Sequence, residues 1–536
     1  MAALTQRSEG SSFLHSSSVF DSLVRNWNVS LSHHTYTMTK SKEIESPGQT
    51  SASTSRELDR SLVHGMAWTG VTKWSGQLLA WVATVLVARL LTPGDYGIVA
   101  MATAFTGIVE MISEFGVGSA VLNFRDLGPD RTAQLNGISL AFGFGGFILS
   151  CIAAVPLSWF FKTDELILVI MVLASGFILV GVKSVPYGVL QREMRFKFLG
   201  LIEGLQMLIQ AISVLGLALL GFSYWALVLG ALAGKAVATV CLVGASPHRF
   251  AIPRPNQLRD VIAYSGDVVG SRMLWYVYTV SDTFIVGRLL GSVALGAYSF
   301  GSSLANVAVD KVVGMSYQVT TSLFGAVQHD HAALRRYLLI LTEGFAIVSC
   351  PLTIGLALVA DELVRVVFGE KWLPMIAPMQ ILALSASYRS FASIPTQVLF
   401  ATKDSRPSLW NSALCVAVLP AAFLVGSQWG TIGIAMVWAL VHPPLSYKLS
   451  AYVFRSIGLS HGEYWRALIP AGVASMAMIL TVLGIKYLMP IHWSLPVQLA
   501  AEVCLGGVAY TMIAQIFYRP HLQKFVMLVR GRHGAE

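Results

Sequence analysis

The sequence predicts an all-α, polytopic membrane protein with about fourteen transmembrane helices, and three observations indicate this fold class. Hydrophobic residues make up 55% of the 536 residues, charged residues only 12%, and the mean hydropathy is +0.64. A soluble domain usually carries about 25% charged residues. Apolar segments long enough to span a bilayer as helices follow one another with short connections. The segments are continuously apolar rather than alternating, which predicts helices and not a β-barrel.

The predicted spanning helices can be placed along the chain from these segments. They lie at 65–90, 96–121, 135–160, 166–189, 199–220, 223–246, 264–288, 294–318, 338–360, 375–400, 408–427, 431–454, 466–488 and 495–517. None of the connections between them is long enough to form a soluble domain.

The regions outside the spans differ in composition. Residues 1–60 are rich in Ser and Thr and contain no long apolar run, which predicts a disordered cytoplasmic tail. Met38 precedes a short polar stretch typical of the start of a bacterial membrane protein, and it is a candidate for the true start. The remaining predicted divisions are an N-terminal six-helix lobe at 61–250, a C-terminal six-helix lobe at 251–460, two additional helices at 461–518 and a basic cytoplasmic tail at 519–536.

The basic residues predict the orientation of the chain in the membrane. With the N-terminus placed inside, most of them lie at the inner ends of the predicted helices. Examples on the inner side are Arg192, Arg195, Lys197, Arg249, Arg254, Arg335 and Arg336. The outer side holds Lys162, Arg288, Arg365, Lys371 and Lys486. We therefore expect both termini to be cytoplasmic, in a bacterial inner membrane. The net charge of +9 then reflects topology and not a nucleic-acid partner.

An internal repeat relates the two predicted lobes. Residues 88–97, with the sequence ARLLTPGDYG, resemble residues 287–296, with the sequence GRLLGSVALG, 199 positions later. The same offset places Lys73 opposite Arg272. The repeated helices are six spans apart and enter the membrane in the same direction, so the repeat is parallel. This pattern is typical of transporters with two six-helix lobes around a central cavity.

Four of the predicted helices carry polar stripes. The stripes contain Gly70, Lys73, Gln77 and Thr84; Thr103, Thr106, Glu110 and Glu114; Arg272, Tyr276, Thr279 and Asp282; and Ser303, Asn306 and Asp310. Steps of three, four and seven residues place each set on one helix face. A charge facing lipid costs about 2.5–3.5 kcal/mol on insertion scales, so polar faces turn inward. Together the stripes predict a hydrophilic cavity.

The stripe residues are candidates for two roles. Lys73, Arg272, Gln77, Tyr276 and Asn306 are the predicted substrate-binding residues. The acids Glu110, Glu114, Asp282 and Asp310 are candidates for ion coupling or for ion pairs. The alternative is that these charges only hold helices together, for example Lys73 with Glu110 and Arg272 with Asp310. Other cations and acids within spans are expected to be structural or to extend to the interface: Lys183, Glu203, Lys235 and Arg389. Arg89 and Arg288, at outer helix ends, are expected to be interface anchors.

Other chemistry is not indicated by the motifs. Residues 230–235, with the sequence GALAGK, are one residue too short for a nucleotide-binding loop and lie inside a span, where small residues favour close helix packing. The sequence QHDH at 328–331 is explained by a polar loop. The five cysteines are scattered, which indicates neither a disulfide scaffold nor a zinc site. We therefore predict no catalytic residue, no metal and no cofactor, and an energy input from an ion or substrate gradient.

Several motifs together resemble one protein family. Besides residues 88–97, they are VPYGVLQREMRFK at 185–197, DTFIVG at 282–287 with LGAYS at 295–299, and FGEKWLP at 368–374. In this order they resemble the Wzx-type polysaccharide flippases of the multidrug/oligosaccharidyl-lipid/polysaccharide exporter superfamily, over roughly residues 62–460. The long N-terminal tail departs from that pattern.

The resemblance implies an activity. Wzx-type flippases move undecaprenyl-diphosphate-linked oligosaccharide repeat units from the inner to the outer leaflet by alternating access, for exopolysaccharide or lipopolysaccharide biosynthesis. The expected partners are this lipid-linked oligosaccharide, membrane lipids, and polymerase and export proteins of the same pathway. Basic cavity residues would bind the diphosphate, and Lys73 and Arg272 match this need by charge and depth.

Two other functions remain open from the sequence. A proton- or sodium-coupled antiporter for drugs or organic cations would use Glu110, Glu114, Asp282 and Asp310 as ion sites. A membrane polymerase or ligase of the same pathway would be an enzyme, usually with a large outer loop. The predicted outer loops are short, which disfavours the enzyme.

Overall fold

The computed structural model describes residues 80–123, 128–254, 259–402, 404, 406–488 and 493–529. Within these ranges the regular secondary structure is entirely helical, which confirms the predicted all-α class. The first part of the chain forms α1 (Ala80–Leu90), α2 (Pro93–Asn123), α3 (Pro129–Phe161), α4 (Leu166–Arg192), α5 (Phe196–Leu219) and α6 (Tyr224–Ala245). We call residues 80–245 the first half.

The second part of the chain begins with a very long helix. It forms α7 (Arg259–Ala326), α8 (His331–Leu358), α9 (Ile376–Ala401), α10 (Arg406–Gly426), α11 (Gly430–Leu440) and α12 (His442–Ile457). We call residues 259–457 the second half. Two more helices follow, α13 (His461–Leu488) and α14 (Leu495–Val529). They pack against each other and against α8.

The described helices include several that can cross a membrane. By length and composition, nine helical stretches within the described ranges qualify, or ten if the bent pair α1 and α2 is counted as one span. Two of the nine, Met273–Val307 and Arg406–Ile457, each contain parts of two predicted spans. The class of polytopic membrane protein is therefore confirmed, whereas the number fourteen remains a prediction.

The helices are interrupted at two repeat-related places. Between α1 and α2 the helix axes differ by 119°. In α7 the helix is broken at Gly291, which has φ 86° and ψ 177° and separates segments 259–290 and 292–326. Glycine adopts this positive φ without the steric penalty that a side chain would bring. The gaps between the predicted spans 65–90 and 96–121, and between 264–288 and 294–318, fall at these two places, within the repeated motifs.

One carboxylate fixes the geometry after the first interruption. Asp95 Oδ2 accepts hydrogen bonds from the amide and the hydroxyl of Thr92, both at 2.7 Å. Asp95 Oδ1 accepts from the hydroxyl of Ser223 and, at 3.2 Å, from the amide of Tyr224. Asp95 therefore satisfies donors at the starts of both α2 and α6, which otherwise lack partners within the helices.

The two halves meet mainly along α2 and α7. Within the first half, α3 packs on α4 and α5 on α6, whereas α9 packs on α7 and α8 in the second half. The main apolar core crosses the boundary, since it contains Met101 and Ile170 of the first half together with Val286 and Leu382 of the second. We call the contact between α2 and α7 the seam.

Candidate functional site

The structure places only some of the predicted site residues. Lys73 and Gln77 lie outside the described residues. Glu114 and Arg272 lie in α2 and α7, but their side chains are outside the described part of the structure. The described side chains are those of Glu110, Tyr276, Asp282, Asn306 and Asp310. The structure places Glu110 and Tyr276 where the two halves meet, and Asp282, Asn306 and Asp310 elsewhere in the second half.

Glu110 of α2 forms an ion pair with Lys235 of α6. The Glu110 Oε1 to Lys235 Nζ distance is 2.5 Å, and the two side chains are 30% and 25% exposed. Lys235 follows the small-residue motif in α6, where Gly230 and Gly234 lie against α5, next to Val214 and Gln206. This close approach of α6 and α5 agrees with the helix-packing interpretation of residues 230–235.

Tyr276 reaches from the second half to the same place. Its hydroxyl lies against Gly107 of α2 so closely that a Cβ atom at position 107 would collide with it. Gly107 is one helical turn before Glu110, and Tyr276 and Glu110 interact electrostatically. The structure therefore brings Tyr276, Glu110 and Lys235 together at the seam, and we call these three residues the seam cluster.

Asp282 lies inside the second half, and the hydrogen-bond partners described below also belong to the second half. Its side chain is buried, and Oδ2 accepts hydrogen bonds from the Tyr298 hydroxyl and the Trp438 indole nitrogen, both at 2.8 Å. Oδ1 accepts from the amide of Thr283 at 2.6 Å. Both carboxylate oxygens are thus occupied by donors from α7 and α11.

Asn306 and Asp310 lie near Arg389, a cation that was expected to be structural or to extend to the membrane interface. Arg389 of α9 donates from Nη2 to Asn306 Oδ1 at 2.5 Å. Its guanidinium carbon lies 5.2 Å from the centre of the Trp438 ring, a cation–π contact. Arg389 also interacts electrostatically with Asp310 and Asp282. Arg389, Trp438, Asn306 and Asp282 therefore form one polar cluster, which we call the second-half cluster.

Sequence reasoning did not identify Arg389 and Trp438 as parts of this cluster. The available signal was a single arginine within an otherwise uncharged helix, which indicates a buried partner. No spacing rule connects Arg389 with Trp438, because they lie on different helices and meet only in the folded chain. Two buried nitrogen atoms of the cluster region, Arg389 Nε and the nearby His442 Nδ1, have no hydrogen-bond partner among the described atoms.

Each half has a cation that contacts one of two repeat-related helices, although Lys235 lies on the sixth predicted span of the first half and Arg389 on the fourth predicted span of the second. In each, a cation is held against the helix that follows the interruption: Lys235 against α2, and Arg389 against segment 292–326. These two helices are repeat mates. The described residues contain no group of three or more His, Cys, Asp or Glu side chains that could hold a metal ion. The arrangement provides charge and hydrogen bonds rather than a nucleophile or a metal.

Curated relatives of similar length match most of the chain. The teichuronic acid biosynthesis protein TuaB of Bacillus subtilis is 22% identical over 89% of this chain and 99% of its own length. The succinoglycan biosynthesis transport protein ExoT of Rhizobium meliloti is 23% identical over 88% and 96%. The lipopolysaccharide biosynthesis protein WzxC of Escherichia coli is 22% identical over 75% and 83%.

Solved structures show the same fold. The lipid II flippase MurJ in an inward closed conformation matches with a TM-score of 0.68 and 14% identity, over 85% of this chain and all of that chain. An inward-facing multidrug resistance transporter of the MATE family of the MOP superfamily matches with a TM-score of 0.60 and 15% identity, over 71% and 94%. The chain therefore has the same fold as these two transporters.

A family model described as polysaccharide biosynthesis protein matches residues 86–377, which include the seam, the first helix interruption and the motif at 368–374. The match covers more than half of the chain, and the curated relatives named above carry biosynthetic or transport names that agree with it. The chain is an integral membrane protein of the transporter type, and it belongs to the polysaccharide biosynthesis protein family.

Proposed function

We propose that this protein flips undecaprenyl-diphosphate-linked oligosaccharide repeat units from the inner to the outer leaflet of the bacterial inner membrane. In this proposal the two halves alternate access to a cavity between them, and both termini are cytoplasmic. The translocated units supply exopolysaccharide or lipopolysaccharide biosynthesis, where polymerase and export proteins of the pathway would receive them.

The observation that carries the proposal is the seam cluster. Glu110 and Lys235 are paired charges within membrane-spanning helices, and each side chain is partly exposed. Charges of this kind avoid lipid because of the cost of desolvation, so they favour a polar space within the bundle. Tyr276 enters this space from the other half. A polar path along the seam is what a hydrophilic saccharide headgroup needs in order to cross.

The binding of the lipid diphosphate is assigned to Lys73 and Arg272. They are repeat mates, cationic, and predicted to lie on the same stripes as Gln77 and Tyr276. Arg272 is one helical turn before Tyr276 on α7, and in this proposal it lies beside the seam cluster. Two cations from the two halves would offset the diphosphate charge, which otherwise opposes crossing.

The test is export in a strain that lacks the chromosomal gene. We expect Lys73→Ala and Arg272→Ala to lower polysaccharide export and to cause the lipid-linked repeat unit to accumulate, with normal amounts of protein in the membrane. Lys448→Ala, which removes an exposed lysine of α12, is the matched control and should export normally. Normal export by both the Lys73 and the Arg272 variants would refute the assignment of the site.

The alternative of a drug or organic-cation antiporter makes a different demand on the acids. An ion-coupling acid must release its partner to bind a proton or sodium ion. Glu110 is paired with Lys235, and both oxygens of Asp282 accept hydrogen bonds. These contacts favour a structural role for the two acids over a role in ion coupling. If the deletion strain gained drug resistance when the protein was expressed in it, this result would support the antiporter instead.

A further inference from the structure

The end of α1 is tied to a segment of the second half by hydrogen bonds. This segment, residues 366–372, lies between α8 and α9 and contains most of the motif FGEKWLP. Arg89 donates from Nε to the Val367 carbonyl at 2.7 Å and from Nη2 to the Val366 carbonyl at 2.5 Å. In the other direction, Lys371 Nζ donates to the carbonyls of Arg89 and Leu91, both at 2.6 Å.

A third donor completes the contact. The Trp372 indole nitrogen donates to the Ala88 carbonyl at 2.9 Å, and the Trp372 side chain is fully buried. The last carbonyls of a helix have no partner within the helix, so side-chain donors at this position satisfy them. A cation there also interacts favourably with the helix dipole. Lys371 and Trp372 therefore cap α1, although they belong to the other half.

An aromatic cluster lies beneath these hydrogen bonds. The Trp372 ring is 5.2 Å from that of Tyr96 at the start of α2 and 4.6 Å from that of Phe300 in α7. Phe368 packs on Phe300 at 5.1 Å. The cluster includes residues of both halves, and it closes the bundle at the end where the two helix interruptions lie.

The backbone of the two halves is in direct contact at the same end. Gly97 of α2 lies against the carbonyl of Ser292, and Gly296 of α7 lies against the carbonyl of Pro93. These two glycines are repeat mates, 199 positions apart. A Cβ atom at either position would collide with the opposing carbonyl. The two helices therefore touch about a local twofold relation, and any opening at this end must separate them.

The repeat mate of Arg89 makes a weaker contact. Arg288, at the end of segment 259–290, also reaches across to the other half, where its guanidinium carbon lies 5.6 Å from the centre of the Phe160 ring of α3. Its Nη1 has no hydrogen-bond partner among the described atoms. Both arginines thus cross the boundary, but only Arg89 meets backbone carbonyls and a reciprocal lysine.

We propose that segment 366–372 is a releasable latch, which holds the two halves together at the outer face of the transporter and lets go when the seam opens outward. The inference rests on the proposed function, because the outer side is assigned by the predicted orientation and the opening by alternating access. The bonds suit release, because every acceptor is a carbonyl that water can satisfy after separation. The asymmetry of the two arginine contacts implies that opening is controlled on the Arg89 side.

The environment of Lys371 agrees with this role. Burial lowers the pKa of the Lys371 ammonium from its ordinary value, and the Asp95 carboxylate acts in the opposite direction. The Lys371 residue as a whole is exposed, so water reaches the latch even when it is closed, and only the hydrogen bond from Lys371 to the Leu91 carbonyl is partly buried. Asp95 also holds α2 and α6, so the lysine lies next to the point where the first half is fixed.

The test measures the distance between the outer ends of the two halves. Spin labels are attached at positions 220 and 429, where Leu220 and Trp429 are exposed in the outer turns and distant in sequence from the latch. The label sites are placed in a variant whose five native cysteines are replaced and that still exports. In this background Lys371→Met removes the ammonium, and Trp372→Phe removes the indole donor while keeping an aromatic ring.

We expect both variants to add a population with longer distances in pulsed electron paramagnetic resonance. In Lys371→Met the ratio of open to closed molecules should rise about tenfold or more, because the variant loses charge-assisted hydrogen bonds. In Trp372→Phe, which loses one neutral hydrogen bond, the ratio should rise by a smaller factor. Arg365→Met is the matched control, since Arg365 is an exposed cation directly before the segment and pairs with Asp361 four residues earlier. It should leave the distances unchanged.

Unchanged distances in both latch variants, with export intact, would overturn the latch. The same would follow if Arg365→Met opened the outer ends as much as Lys371→Met does. These outcomes do not touch the substrate assignment, which depends on Lys73 and Arg272. Conversely, normal export by the Lys73 and Arg272 variants would refute the assigned substrate site. The distance measurement would still test the latch separately.

Discussion

Asp95 accepts hydrogen bonds at the starts of two helices that are more than a hundred residues apart in the chain. The motif ARLLTPGDYG contains it, and the sequence suggested only a tight turn there. The partner Ser223 has a positive φ of 50°, a backbone conformation that a non-glycine residue adopts at some cost. The Asp95 carboxylate offsets part of this cost by fixing the start of α6.

The first prediction concerns this carboxylate. Asp95→Ala should lower the thermal unfolding midpoint of the purified protein, because each lost N-cap costs about 1 kcal/mol and two helices are affected. Asp95→Asn keeps the size of the side chain and one carbonyl oxygen, so its unfolding midpoint should fall between those of the wild type and Asp95→Ala. The measurement is thermal unfolding in detergent with a thiol-reactive or light-scattering readout. An Asp95→Ala protein as stable as the wild type would show that the double cap does not matter.

The second prediction separates an ion pair from an ion-coupling site at Glu110. Lys235→Met should destabilise the protein by roughly 1–3 kcal/mol, since it leaves a partly buried carboxylate without its partner. The double variant Glu110→Gln, Lys235→Met should recover much of this loss, because neither charge remains unpaired. Strictly additive losses would contradict the ion pair. If Glu110→Gln instead abolished transport in a protein of normal stability, ion coupling would be the better interpretation.

The sequence predicted which residues belong to polar helix faces better than it predicted which residues they contact. Steps of three and four residues placed Glu110, Tyr276 and Asn306 on polar stripes, and their described partners are indeed polar or cross the seam. The sequence could not connect Glu110 with Lys235, or Asn306 with Arg389, because periodicity defines a face and not the helix that covers it. Arg89 was expected to anchor at the membrane interface, whereas the structure pairs it with carbonyls of the second half.

At the scale of helices, the contact between α2 and α7 depends on missing side chains. Gly97 and Gly296 allow the two backbones to touch, and Gly107 leaves room for Tyr276. The break at Gly291 turns segment 292–326 so that Gly296 reaches Pro93. A side chain at these glycines would therefore push apart the helices that carry the polar stripes.

The third prediction tests this helix contact. Gly296→Val should weaken the closed arrangement at the outer end, because its side chain would collide with the Pro93 carbonyl, and overpacking typically costs about 1–3 kcal/mol. With the labels at positions 220 and 429, longer distances should appear. Gly94→Ala is the control, since a Cβ atom there meets only ordinary contacts. Equal behaviour of the two variants would contradict the role of Gly296 in closing the bundle.

The existence of most helices could be predicted, but their continuity could not. The predicted spans at 375–400 and 466–488 agree closely with α9 and with most of α13. The predicted span at 431–454 is divided in the structure into α11 and α12 at Val441, just before His442 and two prolines. Prolines remove backbone donors, so they favour such a break, but hydropathy alone does not report it. The motif at 368–374 was predicted as an outer loop and forms short turns that pack on α1.

At the scale of the whole molecule, one seam combines the polar residues and the closing contacts. The seam cluster lies between the halves, and the latch ties the halves together at one end. A transporter that alternates access needs both a polar path and a seal that can open. The division into two six-helix lobes, the cytoplasmic termini and the cavity residues Lys73 and Arg272 remain predictions of the sequence, because periodicity and charge asymmetry do not show how the undescribed side chains lie.

The measurement that tests the central claim most directly is translocation of the lipid-linked oligosaccharide in liposomes. The purified protein is reconstituted with an undecaprenyl-diphosphate-linked oligosaccharide, and a glycan-modifying enzyme added outside reports how much of it changes leaflet. We predict protein-dependent translocation that is strongly reduced by the double variant Lys73→Ala, Arg272→Ala and unaffected by Lys448→Ala. Translocation no faster than in protein-free liposomes, by a protein that is folded and transports an organic cation instead, would contradict the account.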